Sequence, residues 1–118
     1  GVQTCALPIW FMAGLDHQVN GRLAAAEIEY QAALALAPDR LSVINNLAAV
    51  LIEQGRALEA EALCAKALAV APDDYTANLN EGLRLDALGR RADALAVLDR
   101  AVTIAPDRAE AIAARGNA

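Results

Sequence analysis

The sequence predicts an all-α fold, an α-solenoid of antiparallel helix pairs, and three observations lead to it. The related pentamers LAPDR, VAPDD and IAPDR occupy residues 36–40, 70–74 and 104–108, so the interval is 34 residues. A Gly-Arg dipeptide stands about midway between consecutive pentamers. Hydrophobic residues make up 57% of the chain but aromatic residues only 3%, and this Ala-rich composition favours helices over strands.

Length and charge limit the possible classes of protein. A chain of 118 residues forms one domain with its own core. The net charge of −5 and the pI near 4.7 argue against nucleic acid or an anionic membrane as the partner, because both require a basic face. No apolar stretch approaches the roughly 18 to 20 residues that span a bilayer.

Residues 1–9, GVQTCALPI, have neither the Ala-rich helical pattern nor a repeat partner downstream. They resemble the translation of a common sequencing-library adapter, so we expect a non-native leader at 1–9 and a repeat domain at 10–118. An ordinary disordered leader is the alternative. Cys5 then belongs to the leader, and Cys64 is expected to be a small buried hydrophobe outside any disulfide framework.

Aligning the chain to itself defines three units and part of a fourth, at residues 7–40, 41–74, 75–108 and 109–118. Each full unit is expected to hold two helices. The first helix ends at a glycine that accepts the left-handed conformation; these glycines are Gly21, Gly55 and Gly89. The partial fourth unit stops after one helix, so we expect both flanks of a longer protein to be missing.

Prolines near the end of each unit close its second helix, because proline cannot extend the hydrogen-bond ladder. These prolines are Pro38, Pro72 and Pro106. The aspartates that follow them are expected to cap the next helix; they are Asp39, Asp73 and Asp107.

Small residues at equivalent places are expected to let the two helices of a pair approach closely. In the second helices these residues are Ala26, Ala60, Ala94, Ala33, Ala67 and Ala101. In the first helices they are Gly14, Ala48, Gly82 and Gly116.

With these positions the chain resembles the tetratricopeptide repeat family over residues 10–118. The middle unit carries the family pattern as Ile44, Leu47, Ala48, Leu51, Ala60, Cys64, Ala67 and Pro72, and the third as Asn78, Glu81, Gly82, Leu85, Ala94, Leu98, Ala101 and Pro106. Of the positions where the family has an aromatic residue, only Tyr30 conforms. His17 stands at one of the others, and Asn78 and Glu81 are the departures least compatible with a core.

No residue pattern in the chain indicates catalysis. His17 is the only histidine, and no Cys or carboxylate arrangement with ligand spacing surrounds it. No nucleophile motif, zinc signature or phosphate loop occurs. We expect no enzymatic activity within these residues, no metal site and no cofactor.

In the tetratricopeptide repeat family the first helix of each pair lines a concave groove, which implies a candidate site on one helical face of units two and three. The implied groove residues are Asn45, Asn46, Ala49, Ile52, Glu53, Leu79, Asn80, Leu83 and Asp86. Asn46 and Asn80 are equivalent, and similar asparagine ladders line the repeats of O-GlcNAc transferase. An amide that donates and accepts suits a peptide backbone; the alternative is that both are solvated polar sites inherited by duplication.

The implied groove residues include no Lys or Arg, unlike the clamp by which some family members hold chaperone C-terminal tails. An acidic tail is therefore disfavoured, and a segment with hydrophobic anchors and some positive charge is favoured. The leading function is a scaffold that binds a protein or peptide. The alternatives are a substrate-recruiting segment of a larger glycosyltransferase or sulfotransferase, and self-association through the solenoid ends.

Overall fold

A computed structural model describes the backbone of residues 2–116 and the side chains of residues 9–116. Every regular element in this range is an α-helix. The helices are α1 (Val2–Val19), α2 (Leu23–Leu36), α3 (Leu41–Glu53), α4 (Glu61–Val70), α5 (Tyr75–Ala87), α6 (Arg91–Ile104) and α7 (Ala109–Ala114). The pairs α1/α2, α3/α4 and α5/α6 stack along an elongated body of 47 × 25 × 25 Å, so the predicted all-α solenoid is confirmed.

The turn inside each pair is made by the predicted glycine. Gly21, Gly55 and Gly89 have φ of 76°, 78° and 81°, a conformation that glycine adopts without a steric penalty. The next amide reaches back to the last turn of the first helix, as in Arg56 N to Leu51 O at 2.8 Å. This is the hydrogen bond of a Schellman cap, and it reverses the chain after α1, α3 and α5.

The second helices end before the prolines, as predicted. They end at Leu36, Val70 and Ile104, and the alanine before each proline has left helical geometry, with φ of −141°, −144° and −139°. The ring of a proline disfavours the α conformation of the residue before it. Each unit therefore turns into the next at the same place.

The predicted aspartate caps are wrong, because the capping position falls one residue later. The residues at that position are Arg40, Asp74 and Arg108. Only Asp74 among them caps with its side chain, its Oδ2 accepting from Ala77 N at 2.9 Å. Asp39 instead pairs with Lys66 at 3.0 Å.

Close contact between paired helices depends on glycine in α1 and α5. A Cβ at Gly14 would lie 2.4 Å from Cε1 of Tyr30, and one at Gly82 would lie 2.4 Å from Cδ2 of Leu98. The alanines predicted at the contacts of the second helices are buried, but Ala60 stands at the N-cap of α4 and not within the helix. The predicted role of Gly116 as a small contact residue within a first helix is wrong. Helix α7 ends at Ala114, and Gly116 has φ of 69°, so it lies in the turn after the helix.

The two unexplained residues of the third unit have structural roles. Asn78 Nδ2 donates to the carbonyl oxygens of Pro72 at 3.0 Å and Asp74 at 2.8 Å, and so ties α5 to the preceding turn. Glu81 forms a two-point ion pair with Arg84, at 2.8 and 2.9 Å. A buried charge requires such a partner, so the pair permits a carboxylate where the middle unit has Leu47.

Cys64 is buried, as predicted, and burial raises the pKa of its thiol to about 12. A thiol that stays protonated is a poor nucleophile. None of the helices described is both long and apolar enough to cross a membrane.

The helix at the N-terminus is longer than the sequence suggests. The repeat alignment begins the first unit at residue 7, whereas α1 begins at Val2 and runs through most of the segment that resembles an adapter. The origin of residues 1–9 stays a prediction, and the side chains of residues 1–8 lie outside the described part.

Candidate functional site

The candidate groove is carried by α3 and α5, the first helices of the second and third pairs. Its nine residues differ in accessibility. The half-buried residues are Asn46, Ala49, Ile52 and Leu83, and the exposed residues are Glu53 and Asp86. The remaining residues, Asn45, Leu79 and Asn80, are buried. Six side chains therefore stay available to a ligand. Asn45 and Asn80 join α3 to α5, and Leu79 packs in a hydrophobic cluster with residues of α5, α6 and α7.

Asn80 is not a free amide. Its side chain is 3% exposed, and its Nδ2 donates to the backbone carbonyl oxygen of Asn45 at 3.0 Å. Asn45 Nδ2 in turn donates to Asp74 Oδ2 at 3.1 Å. The three residues form a polar connection between α3 and the start of α5, so the Asn80 amide nitrogen is occupied by the protein.

Asn46, the equivalent of Asn80 one unit earlier, lies in a different setting. It is half-buried beside the Tyr30 hydroxyl, which donates to Gln18 Oε1 at 2.7 Å. Burial raises the pKa of Tyr30 to about 12; the neighbouring Asn46 amide opposes this shift and the charge of Glu53 reinforces it. Tyr30 therefore stays a neutral donor, and Asn46 is the more accessible of the two equivalent asparagines.

The two acidic groups of the candidate site differ in their partners. Asp86 Oδ1 lies 3.2 Å from Nη1 of Arg91. Glu53 Oε1 accepts a hydrogen bond from Gln18 Nε2 at 3.3 Å, and no Lys or Arg of residues 9–116 forms an ion pair with it. Glu53 is thus an exposed carboxylate without a cation from the described chain.

Sequence reasoning missed Gln18, Tyr30 and Arg91, and it left α1 out of the site. The positions of α1 equivalent to Asn46, Ala49 and Glu53 are Met12, Leu15 and Val19. All three are exposed large hydrophobic residues. Counting back one repeat of 34 residues from the groove positions of the second unit identifies these three residues. The contacts of Gln18, Tyr30 and Arg91 depend instead on how separate helices pack.

The single histidine lies apart from any group of ligands. His17 lies in the last turn of α1, and its Nδ1 accepts a hydrogen bond from Arg22 Nε at 2.8 Å. The described residues include no cluster of His, Cys, Asp or Glu that could hold a metal ion. The inner helices present amides, exposed aliphatic groups and carboxylates, which are groups that line ligand-binding surfaces.

Comparison with solved structures gives the same architecture. The TPR domain of Arabidopsis OM64 matches with a TM-score of 0.88 and 23% identity, over 97% of this chain and 94% of that one. A mutant O-GlcNAc transferase of Thermobaculum terrenum matches with a TM-score of 0.91 and 23% identity, over 98% of this chain and 22% of that one. The second TPR domain of human RPAP3, in complex with the HSP70 peptide SGPTIEEVD, matches with a TM-score of 0.79 and 17% identity, over 93% and 95%.

The fold is that of a helix-pair repeat protein, and the sequence identifies the family. The family model described as a tetratricopeptide repeat matches residues 51–118. The chain belongs to the tetratricopeptide repeat family. No curated protein sequence matches it.

Proposed function

We propose that this chain is a non-catalytic scaffold that binds an extended or helical peptide segment of a partner protein along α1, α3 and α5. The observation that carries the proposal is the half-buried set Asn46, Ala49, Ile52 and Leu83 on the inner helices. Side chains of this kind leave apolar area and one amide available for a ligand. Such a mixture of apolar contact and a few polar groups is typical of protein recognition sites.

Asn46 is the proposed contact for the peptide backbone. Its amide has a donor and an acceptor, which match the carbonyl and amide groups of an extended chain. Asn80 supports the groove from beneath, since its amide nitrogen is occupied by Asn45. The predicted ladder therefore becomes one ligand contact and one structural contact.

The electrostatics favour a different ligand from the acidic peptide of the RPAP3 complex, whose sequence SGPTIEEVD has acidic side chains at three of its last four residues. The proposed site contains Glu53 and Asp86, and none of its nine residues is basic. Like charges at an interface oppose association. We therefore propose a neutral or basic partner segment with hydrophobic anchors.

The test is a screen of the chain against an array of acidic, neutral and basic peptides, followed by calorimetric titration of those retained. Asn46→Ala should lower the affinity for the selected peptide by about two- to tenfold, the contribution of one hydrogen bond. Gln31→Ala is the matched control, because Gln31 is an exposed amide on α2. Binding that is insensitive to both Asn46→Ala and Leu83→Ala, or an array on which no peptide is retained, contradicts the proposal.

A second candidate function is supported by the match to the O-GlcNAc transferase, of which this chain covers 22%. In this second function the chain recruits substrates for a catalytic domain in the same polypeptide. The groove then binds a peptide segment of the substrate by the same contacts. The complete reading frame of the source gene separates the two functions. A catalytic domain in that frame supports recruitment, and a frame of repeats alone supports the scaffold.

A further inference from the structure

The exposed apolar surface of the inner helices is concentrated on α1. Met12 and Val19 are 67% and 79% exposed, and Leu15 is 37% exposed. Their spacing of three and four residues places them on one face of the helix. We call Met12, Leu15 and Val19 the apolar stripe. Their positions are equivalent to Asn46, Ala49 and Glu53, so the apolar stripe continues the surface of the proposed groove.

An exposed stripe of large aliphatic side chains is unfavourable in water unless a partner covers it. Single exposed hydrophobic residues are normal, but contiguous ones mark interaction surfaces. The outer helix α2, by comparison, exposes one large hydrophobic residue, Ile28. The contrast between α1 and α2 indicates that the inner side of the first pair is a contact surface.

Glu53 lies next to this stripe. Gln18 directly precedes Val19, and its Nε2 donates to Glu53 Oε1 at 3.3 Å, so a side chain from the C-terminal end of α1 reaches one from the C-terminal end of α3. The Tyr30 hydroxyl donates to Gln18 Oε1 at 2.7 Å and so orients the Gln18 amide with its nitrogen toward Glu53. The carboxylate is held at the edge of the apolar stripe and lacks a basic partner within residues 9–116.

From this arrangement we infer that the groove has an apolar end on α1 and an adjoining cation-accepting position at Glu53, and that its ligand is a peptide segment with a bulky aliphatic residue and a nearby Arg or Lys. The aliphatic side chain covers the apolar stripe, and the guanidinium or ammonium group pairs with Glu53. Asp86 is a weaker cation site, because Arg91 already lies 3.2 Å from it. This inference rests on the proposed function and adds the chemistry of the ligand.

The experiment uses the full chain and three pools of labelled peptides with acetylated and amidated ends in a Ser/Gly/Ala background. One pool combines Leu with Arg, the second Leu with Glu, and the third Ser with Arg. Fluorescence anisotropy should give the highest affinity for the pool with Leu and Arg. Glu53→Gln should reduce that affinity by about two- to fivefold, as for an exposed ion pair, and the reduction should disappear at about 1 M salt.

Matched variants separate these effects from changes in net charge or stability. Asp73→Asn changes the net charge of −5 by the same amount as Glu53→Gln, and Asp73 is exposed in the turn before α5. Val19→Ser should weaken binding by about three- to tenfold through lost apolar contact. Ile28→Ser, on the outer helix, should leave binding unchanged.

Equal binding of the Leu/Arg and Leu/Glu pools overturns the inference, as does a Glu53→Gln effect no larger than that of Asp73→Asn. A peptide that depends on Asn46 and Leu83 but not on Glu53 or Val19 overturns it and leaves the proposed function standing. The absence of any binding peptide overturns both. Sedimentation of the chain alone tests another occupant, a second copy of the chain: an oligomer that Val19→Ser dissociates assigns the apolar stripe to self-association and overturns the inference.

Discussion

Asn80 Nδ2 donates a hydrogen bond of 3.0 Å to the backbone carbonyl oxygen of Asn45, and so joins α5 to α3 within the buried interior. The carbonyl lies on the preceding repeat, so this contact sets the position of one inner helix against the next. Asn45 extends the connection to Asp74, the residue that caps α5. A buried polar contact of this kind favours one arrangement of the helices, because any other leaves the amide without a partner.

We expect Asn80→Ala to lower the free energy of unfolding by about 1 kcal/mol, the net value of one buried hydrogen bond. Asn46→Ala is the control, since Asn46 is half-buried, and it should change stability by less than about 0.5 kcal/mol. Urea denaturation followed by circular dichroism measures both. Equal stability losses in the two variants would show that the equivalent asparagines do not have separate roles.

Gly82→Ala should destabilise the chain by about 1 to 3 kcal/mol through overpacking, because the added Cβ would lie 2.4 Å from Cδ2 of Leu98. Leu98 is fully buried and has little room to move. Thermal unfolding of Gly82→Ala, Leu98→Ala and the double variant forms a mutant cycle. Gly82→Ala should cost less once Leu98 is shortened; strictly additive losses would indicate that the two residues are not in contact.

The Glu81 and Arg84 pair occupies positions where the middle unit has Leu47 and Val50. Arg84→Ala should cost about 3 kcal/mol, because it leaves the mostly buried carboxylate of Glu81 without its cation. The double variant Glu81→Leu, Arg84→Val copies the apolar pair of the middle unit and should be as stable as the native chain or more stable. Chemical denaturation measures the free energy of unfolding of each variant. A double variant less stable than Arg84→Ala would contradict the role of Arg84 as the partner of a buried carboxylate.

Stability should fall in acid through the contact between Glu27 and Arg56. The hydrogen bond from Arg56 Nη1, at 2.6 Å, holds the pKa of Glu27 below its ordinary value. A carboxyl with a lower pKa in the folded state stabilises the fold above its unfolded pKa, and this contribution is lost as pH falls through the folded pKa. Melting temperatures of the native chain and of Glu27→Gln should converge as pH falls from above the unfolded pKa of Glu27 to below its folded pKa. A constant difference between them would contradict the assignment.

The helix pairs and their boundaries followed from the sequence because single residues determine them locally. Gly55 must end a helix in the left-handed conformation, and Pro72 must stop the next one, whatever their neighbours do. The family resemblance rested on such positions, and so did the small residues at the helix contacts. These features repeat at a fixed interval and need no knowledge of distant contacts.

The roles of the asparagines did not follow from the sequence, because they depend on which helix lies opposite. Asn46 and Asn80 are equivalent by repeat, yet only Asn80 faces a carbonyl group of the preceding inner helix. Asp73 and Asp74 are adjacent, and only the backbone geometry decides that Asp74 is the cap. Glu81 alone is incompatible with a core, but Arg84 lies one helical turn away and pairs with it. Each case requires the distance between two side chains, which the spacing of residue types does not supply.

The central claim is that the inner helices hold the partner segment, and chemical-shift mapping tests it most directly. A ¹⁵N-labelled chain is titrated with a peptide that contains Leu and Arg. The amide signals of Val19, Asn46, Glu53 and Leu83 should shift together, while those of Lys66 and Arg100 on the outer helices should stay in place. Shifts confined to α4 and α6, or spread evenly over all helices, would contradict the account.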